Sequence, residues 1–559
     1  MSARRGLLAA VAVLSAFAAA GPASAIEMSR RSPFLPPVDG SASPQAFSLA
    51  RQGRDLIVAV ERDERAVAIL REHRARRLGE LLWLVAGTQS AVVVDRLDAI
   101  YALRYAHPNG RLRRTAGLAA LGDPVDPEPW WLPEIGAANL TAPAAGFPLT
   151  IIDDGIDTTH PEFVSRPIRF LNENDMIPQE DFHGTMVSSV AAAPRDGMGI
   201  VGLYPLANLR SSDTGFGDCA DVLAAVEAAI SAGPSVINMS WGFSPPSCLA
   251  LHDQLIRALA AGSLSVSATG NMRLHFSAPA VPAMWPHVLT TGSSNARGMV
   301  SYFSTEGQGI DLAAPGESMI VAAPPFVDAT GYADVDGTSF SAALVSATAA
   351  WVASRRSMQA TQLAELLRSS ARDAGEPGWD EDTGFGILDV SAALRRPLPA
   401  VDPLEPNDDV NQVEAGGLFK EAAAPLTRPG RARASLRARL DRSEDPVDVY
   451  RVYVPGRRVA RLRVVPTSNV DLEVFRPNTA SCYYQNRRRA LRAALIGGSY
   501  EPARGAETFA LENKRESGRY VYACVYKPRD VEQRASYTLS IRTTALRRLP
   551  SESAGRDKR

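Results

Sequence analysis

The feature that most constrains this chain is the alternation of short apolar segments with longer helix-like segments between residues 130 and 397. Four apolar segments have the length and the Val, Ile and Leu content of buried strands, at 147–152, 235–239, 264–268 and 287–291. Helical patterns separate or follow them, at 184–193, 219–232, 249–261, 340–356 and 360–372. Because strands that alternate with helices form right-handed crossovers, the pattern predicts an α/β domain with a mostly parallel sheet and helices on both faces.

Smaller units flank this domain. The apolar segments 55–60 and 90–94 predict two strands around a helical stretch at 64–84, and a helix-then-strand pattern follows at 95–106, which together indicate a small α+β unit.

Beyond a Pro-rich hinge at 402–408, apolar and polar residues alternate one by one and no long helix interrupts the pattern. The predicted strands there are 448–454, 460–465, 470–475, 520–525 and 536–541. We therefore expect a separate all-β sandwich, followed by a charged tail at 546–559.

The N-terminus has the layout of a secretory signal peptide. Arg4 and Arg5 precede the apolar run 7–20, and the small residues Ala23 and Ala25 form a cleavage pattern. The run is shorter than the ~20 residues that a membrane-spanning helix needs. We expect cleavage after Ala25 and export to the extracellular space or the periplasm, with no membrane segment in the mature chain.

Charge and cysteine content narrow the possible partners and the compartment. The chain has 60 Lys and Arg against 61 Asp and Glu, a net charge of −1, which gives no indication of a nucleic-acid partner. The four cysteines fall into the pairs Cys219 with Cys248 and Cys482 with Cys524, neither at the short spacing of a zinc site. In an exported protein each pair is expected to form a disulfide.

Four polar residues stand at strand ends and helix starts, where open parallel sheets place their sites. Asp153 and Asn271 each follow a buried-type strand, and His183 and Ser339 each open a helical segment. Each residue alone has an ordinary explanation, such as a turn, a surface histidine or a helix cap. Together they supply the carboxylate, imidazole, hydroxyl and amide that nucleophilic acyl transfer uses.

These residues follow one another along the chain in the order Asp, His, Asn, Ser. In this order the chain resembles the subtilisin-like serine proteases of the S8 family. The segments that carry the resemblance are 151–157, 183–185, 236–242, 268–271, 302–304, 311–316, 337–339 and 384–389. The resemblance implies that Ser339 is the nucleophile, His183 the general base and Asp153 the group that orients the imidazole. It also implies that Asn271 and the Ser339 backbone N–H stabilise the oxyanion.

The resemblance also implies a cleft in which substrate binds as an added strand. Its substrate-binding residues would be Ser240, Trp241, Gly242, Gly215, Phe216, Gly217 and Gly270. Asp154 stands where the family usually has Ser or Thr, and in the kexin-like branch an Asp there helps to recognise basic residues. By contrast, the segments 240–244 and 267–270, which would flank the first pocket, contain no carboxylate, and this favours neutral or apolar side chains.

By resemblance, residues 26–122 are a linker and an inhibitory propeptide, and residues 123–397 are the peptidase domain. Residues 401–545 resemble the bacterial pre-peptidase C-terminal β-sandwich. The propeptide would inhibit its own enzyme in a zymogen until it is cleaved. The Arg-rich segment 110–114 is either a processing site or a solvated linker.

No cofactor is expected for the reaction, but the resemblance implies a structural calcium site. The implied ligands are the side chains of Glu162 and Asp196 and the carbonyls of Pro194, Met198 and Ile200. The alternative is an ordinary solvated turn, because Asp-Gly is a common turn pair. The sequence as a whole predicts a secreted serine endopeptidase that acts on proteins or peptides; the alternative is a catalytically silent binding protein with the same fold.

Overall fold

The structure, a computed structural model, describes residues 50–546 apart from 61, 80, 101, 110–112, 115–116, 120–128, 178–179, 216, 245–246, 274–278, 284, 480, 483–493, 503 and 529–532. The predicted signal peptide and linker, the tail from 547 and the predicted start of the peptidase domain at Asp123 lie outside the described residues. No helix within the described ranges is long and apolar enough to cross a membrane.

The first unit, the pro-region, is a four-stranded antiparallel sheet with two helices on one face. Its elements are β1 (Leu56–Val60), α1 (Glu64–Glu72), β2 (Arg76–Arg77), β3 (Leu82–Val85), α2 (Gly87–Ala99) and β4 (Leu103–Pro108). The strand order is β2-β3-β1-β4. Val58, Leu70 and Val94 belong to the buried cluster between the sheet and the helices. Two short strands follow this unit, β5 (Arg113–Arg114) and β6 (Gly117–Ala119).

Two predictions for the pro-region are wrong. The segment 90–94 is not a strand but part of helix α2, and the predicted helix at 64–84 ends at Glu72, after which the chain forms β2 and β3. A run of valines favours a strand by propensity, but a short apolar run does not distinguish strand from helix. Here the carboxylate of Asp55 accepts the N–H of Gly87 at 2.7 Å, at the first residue of the helix. The prediction missed this contact because it joins residues distant in sequence.

The central unit contains the predicted parallel sheet. Its elements are α3 (Trp131–Glu134), β7 (Leu149–Asp153), β8 (Ile168–Phe170), α4 (His183–Ala192), β9 (Leu209–Asp213), α5 (Cys219–Ser231), β10 (Val236–Met239), β11 (Trp241–Gly242), α6 (Ala250–Ala260), β12 (Leu264–Ala268), β13 (Val288–Ser294), β14 (Leu312–Pro315), β15 (Met319–Ala322), β16 (Tyr332–Asp336), α7 (Thr338–Arg355), α8 (Ala360–Ser370) and α9 (Val390–Arg395). Seven strands pair in parallel in the order β14-β13-β12-β10-β7-β9-β8. The predicted fold class is confirmed.

Side chains of the parallel strands alternate between two cores, as the period of a strand requires. Ile151 and Val236 point into the cluster that contains α4 and α7, whereas Ile152 and Ile237 point into the cluster that contains α5 and α6. Helices therefore cover both faces of the sheet.

The polar strand β9 was not predicted. Its sequence, LRSSD, lacks the apolar run typical of a buried strand, although all five residues are buried.

The C-terminal unit is a β-sandwich, as predicted. Its elements are α10 (Val410–Val413), β17 (Arg433–Asp441), β18 (Val447–Val454), β19 (Arg458–Pro466), β20 (Asp471–Phe475), β21 (Leu495–Ser499), β22 (Glu507–Asn513), β23 (Arg519–Tyr526) and β24 (Arg534–Ala545). Its two four-stranded sheets have the orders β17-β24-β19-β22 and β18-β23-β20-β21. Val452, Leu462 and Ile541 lie in the buried cluster between them.

Both predicted disulfides are present. Cys219–Cys248 has a Cα–Cα distance of 5.5 Å and joins the first residue of α5 to the segment before α6. Cys482–Cys524 has a Cα–Cα distance of 6.4 Å and joins β23 to a loop of the β-sandwich. Each disulfide therefore closes a loop within one unit.

Candidate active site

The carboxyl end of strand β7, an inner strand of the parallel sheet, carries a buried carboxylate–imidazole pair. Asp153 is the last residue of β7, and His183 is the first residue of α4. The His183 Nδ1 atom lies 2.9 Å from Asp153 Oδ1 and 3.0 Å from Oδ2. The side chain of Asp153 is 2% exposed and that of His183 is 1% exposed, so the contact is shielded from water. A hydrogen bond at Nδ1 fixes the ring orientation and directs Nε2 away from the carboxylate.

Asp154 has a structural position that differs from its predicted role. It is 1% exposed, and its Oδ2 atom accepts the backbone N–H groups of Phe182 and His183, each at 3.1 Å. Its Oδ1 atom accepts the N–H of Gly184. These donors are at the start of α4, where a carboxylate satisfies unpaired N–H groups and interacts favourably with the helix dipole. The geometry therefore supports a role in positioning His183 rather than in recognising basic residues.

Ser339 is the second residue of α7 and is tied to the end of β10. Its hydroxyl donates to the Ser240 carbonyl at 2.9 Å, and the Ser240 hydroxyl donates to the Ser339 carbonyl at 2.8 Å. The Asn238 amide donates to the Ser240 hydroxyl, and the Ser346 hydroxyl donates to Asn238, each at 2.9 Å. This buried network holds the start of α7 at the carboxyl edge of the sheet.

Asn271 follows β12 and faces the same helix start. Its Oδ1 atom accepts from the backbone N–H of Thr338 at 3.0 Å and from the Thr338 hydroxyl at 2.9 Å. Because the carbonyl end of the amide is held by Thr338, the Nδ2 end is directed away from it. The Thr338 hydroxyl is also the acceptor of the Gly270 N–H at 3.1 Å. The Asn271 amide is thus fixed at the N-terminus of α7, where an amide donor and the helix dipole suit a developing oxyanion.

Two of these four groups stand at or just after the ends of strands of the parallel sheet, and the other two stand at helix starts. The ring of His183 is 6.4 Å, centroid to centroid, from the ring of Phe340, the residue after Ser339. Asp153 thus contacts His183, and His183 and Asn271 each lie next to a residue that adjoins Ser339 in α7. The supporting roles of Thr338 and Asn238 were not predicted, although the hydroxyl residue directly before Ser339 is a signal that could have indicated the first.

Six of the predicted cleft residues belong to two segments, 240–242 and 215–217, and Gly270 follows β12. Trp241 and Gly242 form β11, and the indole N–H of Trp241 donates to the Ile152 carbonyl at 2.6 Å. A Cβ atom at Gly242 would lie 2.5 Å from that of Ala280, so the close approach there requires glycine. On the second segment, Asp213 Oδ1 accepts the N–H of Gly215 at 2.7 Å.

The second segment is a turn. Gly215 and Gly217 have φ angles of +55° and +69°, conformations that favour glycine. Phe216 lies outside the described residues. Burial raises the pKa of Asp213, which holds this turn, although the N–H groups it accepts oppose the shift.

Two of the predicted calcium ligands, Glu162 and Asp196, accept hydrogen bonds from the protein itself in this arrangement. Glu162 Oε1 already accepts the backbone N–H of Ile200 and the hydroxyl of Tyr332, each at 2.9 Å. Ile200 thus presents its N–H, not its carbonyl, to the carboxylate. Asp196 accepts the N–H of Met198 within its own turn at 3.1 Å. Burial raises the pKa of Glu162, which favours the neutral carboxyl.

Comparison with known proteins agrees with the geometry. Residues 144–386 match the profile of the Subtilase family, Peptidase S8. This domain belongs to the subtilase family. The match and the similarity to subtilisins place the sequence of this domain among the subtilisin-like serine endopeptidases.

Two curated relatives and one solved structure illustrate the similarity. Subtilisin E of Bacillus subtilis (strain 168) is 29% identical over 277 residues, which cover 46% of this chain and 71% of that protein. Subtilisin of Bacillus pumilus is also 29% identical, over 46% of this chain and 98% of that protein. The crystal structure of fervidolysin from Fervidobacterium pennivorans, a keratinolytic enzyme related to subtilisin, superposes with a TM-score of 0.53 at 19% identity. The superposition covers 82% of this chain and 85% of fervidolysin, and it shows the shared fold.

Proposed function

We propose that this chain is an exported serine endopeptidase that hydrolyses peptide bonds through Asp153, His183 and Ser339. The observation that carries the proposal is the buried contact between Asp153 and His183 beside the helix start that presents Ser339. A family match alone would not separate an active protease from a silent homologue, whereas a complete set of catalytic groups favours activity.

The mechanism follows from the roles of these groups. His183 Nε2 takes the proton of the Ser339 hydroxyl as Oγ attacks the substrate carbonyl, and it later gives that proton to the leaving amine. Asp153 holds the ring in the required tautomer and stabilises the imidazolium. Asn271 and the Ser339 backbone N–H stabilise the oxyanion. Water then releases the acyl group from Ser339 by the same steps in reverse.

The pro-region would keep this enzyme silent before cleavage. One face of its sheet packs against α5 and α6, where Ile57 and Leu82 share a buried cluster with Leu223 and Leu255. Asn109, just after β4, accepts the N–H of Ala220 at 2.7 Å. The pro-region thus sits on the helices beside the candidate cleft. This position supports an inhibitory role.

The proposal is tested by Ser339→Ala with Ser341→Ala as the matched control. Ser341 is a buried serine of the same helix, and its hydroxyl donates to the Ala314 carbonyl at 2.8 Å, away from the catalytic groups. Ser339→Ala should leave no more than ~10⁻⁶ of the wild-type turnover, whereas Ser341→Ala should keep normal labelling by a fluorophosphonate. Measurable hydrolysis by Ser339→Ala would refute the assignment.

The alternative, a catalytically silent binding protein, makes the opposite prediction. Its mature form would not react with a fluorophosphonate and would not cleave a peptide library. For an active enzyme, the same library reports the preference of the first pocket. We expect neutral side chains there, because the described part of the pocket walls contains no carboxylate and Asp154 is buried behind α4.

A further inference from the structure

One sheet of the β-sandwich, β17-β24-β19-β22, carries arginines on its outward face. Leu462 and Ile541 of this sheet lie in the buried core, so the residues that alternate with them face away from the core. On that outward side, Arg433 of β17 lies opposite Arg542 of β24. Arg542 in turn lies opposite Arg461 of β19. Three arginines from three neighbouring strands therefore form one row across the sheet.

Two further arginines extend this row along the strands. Arg463 lies two positions after Arg461, and Arg437 lies four positions after Arg433, so both share the outward face. Neighbouring strands are about 4.8 Å apart, and positions i and i+2 of one strand are about 6.8 Å apart, so the five residues form a single patch. The side chains of all five are exposed. We call this patch the arginine face; it consists of Arg433, Arg437, Arg461, Arg463 and Arg542.

The positive charge of the arginine face is not neutralised by neighbouring carboxylates. On these four strands, all of which the structure describes, the exposed carboxylate is that of Glu512 at the sheet edge, and its Oε2 atom lies 3.7 Å from Lys514 Nζ. Arg461 donates to a neutral acceptor, the hydroxyl of Thr544, at 2.8 Å. By contrast, the two arginines of this sheet next to the peptidase domain have carboxylate partners. They are Arg439, which pairs with Glu365 and Asp402, and Arg534, which pairs with Glu365 and Asp441.

This arrangement is unfavourable for the isolated fold. Like charges directly opposite each other on neighbouring strands destabilise a sheet, and Arg542 has an arginine opposite it on both sides. The chain as a whole has a net charge of −1, so the patch is a local concentration of positive charge and not part of a general excess. A polyanion on the arginine face would relieve the repulsion. The face therefore has the charge of a surface that binds an extended anion.

The other outward side chains of these strands indicate the chemical class of the polyanion. Hydroxyl side chains lie between the arginines, and the large exposed apolar side chain on the four strands is that of Val465. No outward position on these described strands has an aromatic ring. A bilayer or a protein partner would need a larger apolar surface, and single-stranded nucleic acid would need rings on which its bases stack. The hydroxyl residues are Ser435, Thr508, Thr538 and Ser540.

We propose that the arginine face binds an anionic polysaccharide whose sugars carry carboxylate or sulfate groups. A guanidinium group donates two parallel N–H groups to such an oxyanion, a geometry that an ammonium group does not offer. The hydroxyl side chains between the arginines can exchange hydrogen bonds with sugar hydroxyls. Binding at this face attaches the enzyme to an anionic glycan without using any of the candidate catalytic residues. The inference goes beyond the proposed function and does not depend on it.

The experiment measures the Kd of the full chain, carrying Ser339→Ala to prevent proteolysis, for three polysaccharides. Heparin supplies sulfate groups, polygalacturonate supplies carboxylates, and dextran of similar length is the neutral control. We expect at least one of the two anionic chains to bind, and its binding to weaken as salt screens the exposed charges. Their relative affinities show which anionic group the face prefers. Absence of binding to both, or equal binding to dextran, would overturn the proposal.

Paired substitutions separate the arginine face from the charge of the whole protein. Arg461→Gln with Arg542→Gln should weaken binding at least ~10-fold, because two charge-assisted contacts are lost. The matched control is Arg169→Gln with Arg297→Gln, which removes the same charge from exposed positions of the peptidase domain and should change the Kd less than about twofold. Equal losses in the two pairs would overturn the proposal.

A second pair of substitutions guards against a folding defect. Arg437→Gln with Arg463→Gln changes two arginines that have no arginine directly opposite, and it should also weaken binding at least ~10-fold. The pair at Arg461 and Arg542 should unfold at the same or a higher Tm than the parent chain, because repulsion is removed. Normal binding by either pair in a folded protein would contradict the proposal.

Two other polyanions test the class of partner. Duplex DNA presents phosphates on a rigid rod, and vesicles of phosphatidylglycerol present phosphates on a bilayer surface. At physiological salt we expect both to bind more weakly than the preferred polysaccharide. Tighter binding to DNA would indicate a nucleic-acid surface, and tighter binding to the vesicles would indicate a membrane surface; either result would overturn the assignment to a polysaccharide.

Discussion

Two units pack against the peptidase domain, and different chemistry holds each of them. The pro-region contributes apolar side chains, since Ile57, Leu78 and Leu82 share one buried cluster with α5 and α6. Its charged contact at this surface, Arg76 with Asp221 at 3.4 Å, is partly exposed to solvent. The pro-region is therefore held mainly by burial of apolar area, which is not directional.

The β-sandwich is held instead by buried charge. Arg368 of α8 lies between Asp311 of the peptidase domain and Glu444 of the β-sandwich, with 2.8 Å between Arg368 Nη2 and Glu444 Oε2. Nearby, His287 Nε2 is 2.8 Å from Asp408 Oδ1. A cavity of about 280 Å³ at this junction contains none of the candidate catalytic residues.

The difference between these interfaces matches the different fates proposed for the two units. Apolar contacts weaken gradually when part of the interface is removed, so a cleaved pro-region can dissociate. A buried ion pair is strongly destabilised when one partner is lost, because the remaining charge is left without compensation. Such a network suits a unit that stays attached. The comparison thus predicts that mutations at the two surfaces will have different consequences.

The largest effect is expected from Arg368→Met. Removing this guanidinium leaves Asp311 and Glu444 buried beside each other, and breaking a buried pair in this way costs about 3–5 kcal/mol. The measurement is the free energy of unfolding by denaturant. The control is Arg457→Met, because Arg457 pairs with Glu516 on the exposed surface of the β-sandwich and its loss should not change the transition midpoint. Equal effects of the two substitutions would contradict the comparison.

The parts of the fold that could be predicted from sequence are those with a strong local signal. Strands β10 and β12 are continuous apolar runs, and their predicted bounds agree with the structure to within one residue. The run at 90–94 is equally apolar but forms a helix, because Asp55 fixes the helix start from a distant position. Strand β9 is buried by its neighbours in spite of its polar sequence. Tertiary contacts decided both cases.

The residues of the candidate site were likewise predicted where a local motif marks them and missed where their role depends on distant contacts. Asp153, His183, Asn271 and Ser339 were predicted because short motifs mark them at strand ends and helix starts. The use of Asp154 as an acceptor for the start of α4 was not predicted, because the motif alone does not show which way a carboxylate turns. Likewise, the pairing of β5 and β6 with the cleft depends on contacts across more than a hundred residues.

A smaller effect is expected from Leu82→Ala at the apolar interface. Leu82 is buried where the pro-region sheet meets α5 and α6, and a buried Leu→Ala substitution costs about 2–5 kcal/mol. Allowing for partial relaxation of the interface, we expect the cleaved pro-region to bind its enzyme ~10²-fold more weakly, seen as faster recovery of activity after dilution. Val92→Ala, on the exposed side of α2, is the control and should change nothing. Unchanged recovery by Leu82→Ala would argue that polar contacts hold the pro-region.

The smallest effect concerns the carboxylates at the β-sandwich junction. Atoms of His287, Glu405, Asp408 and Asp445 lie within 4.8 Å of one another. Burial, followed by repulsion from Glu405 and neighbouring carboxylates, raises the pKa of Asp445, and burial raises the pKa of Asp402 to about 6. A carboxyl whose pKa is higher in the folded state stabilises the fold at acid pH, and this contribution is lost as the pH rises through the folded-state pKa.

The stability of the wild-type enzyme should therefore fall between pH 5 and pH 8, and Asp445→Asn should make this dependence shallower. An amide keeps the shape of the side chain without the charge, so we expect a more stable protein at pH 8 and little change at pH 5. The measurement is Tm against pH. Asp328→Asn is the control, because Asp328 is exposed and its pKa is lowered by hydrogen bonds from Thr330, so the profile from pH 5 to pH 8 should not change. A lower Tm of Asp445→Asn at pH 8 would contradict the prediction, since it would mean that the charged form of Asp445 stabilises the junction.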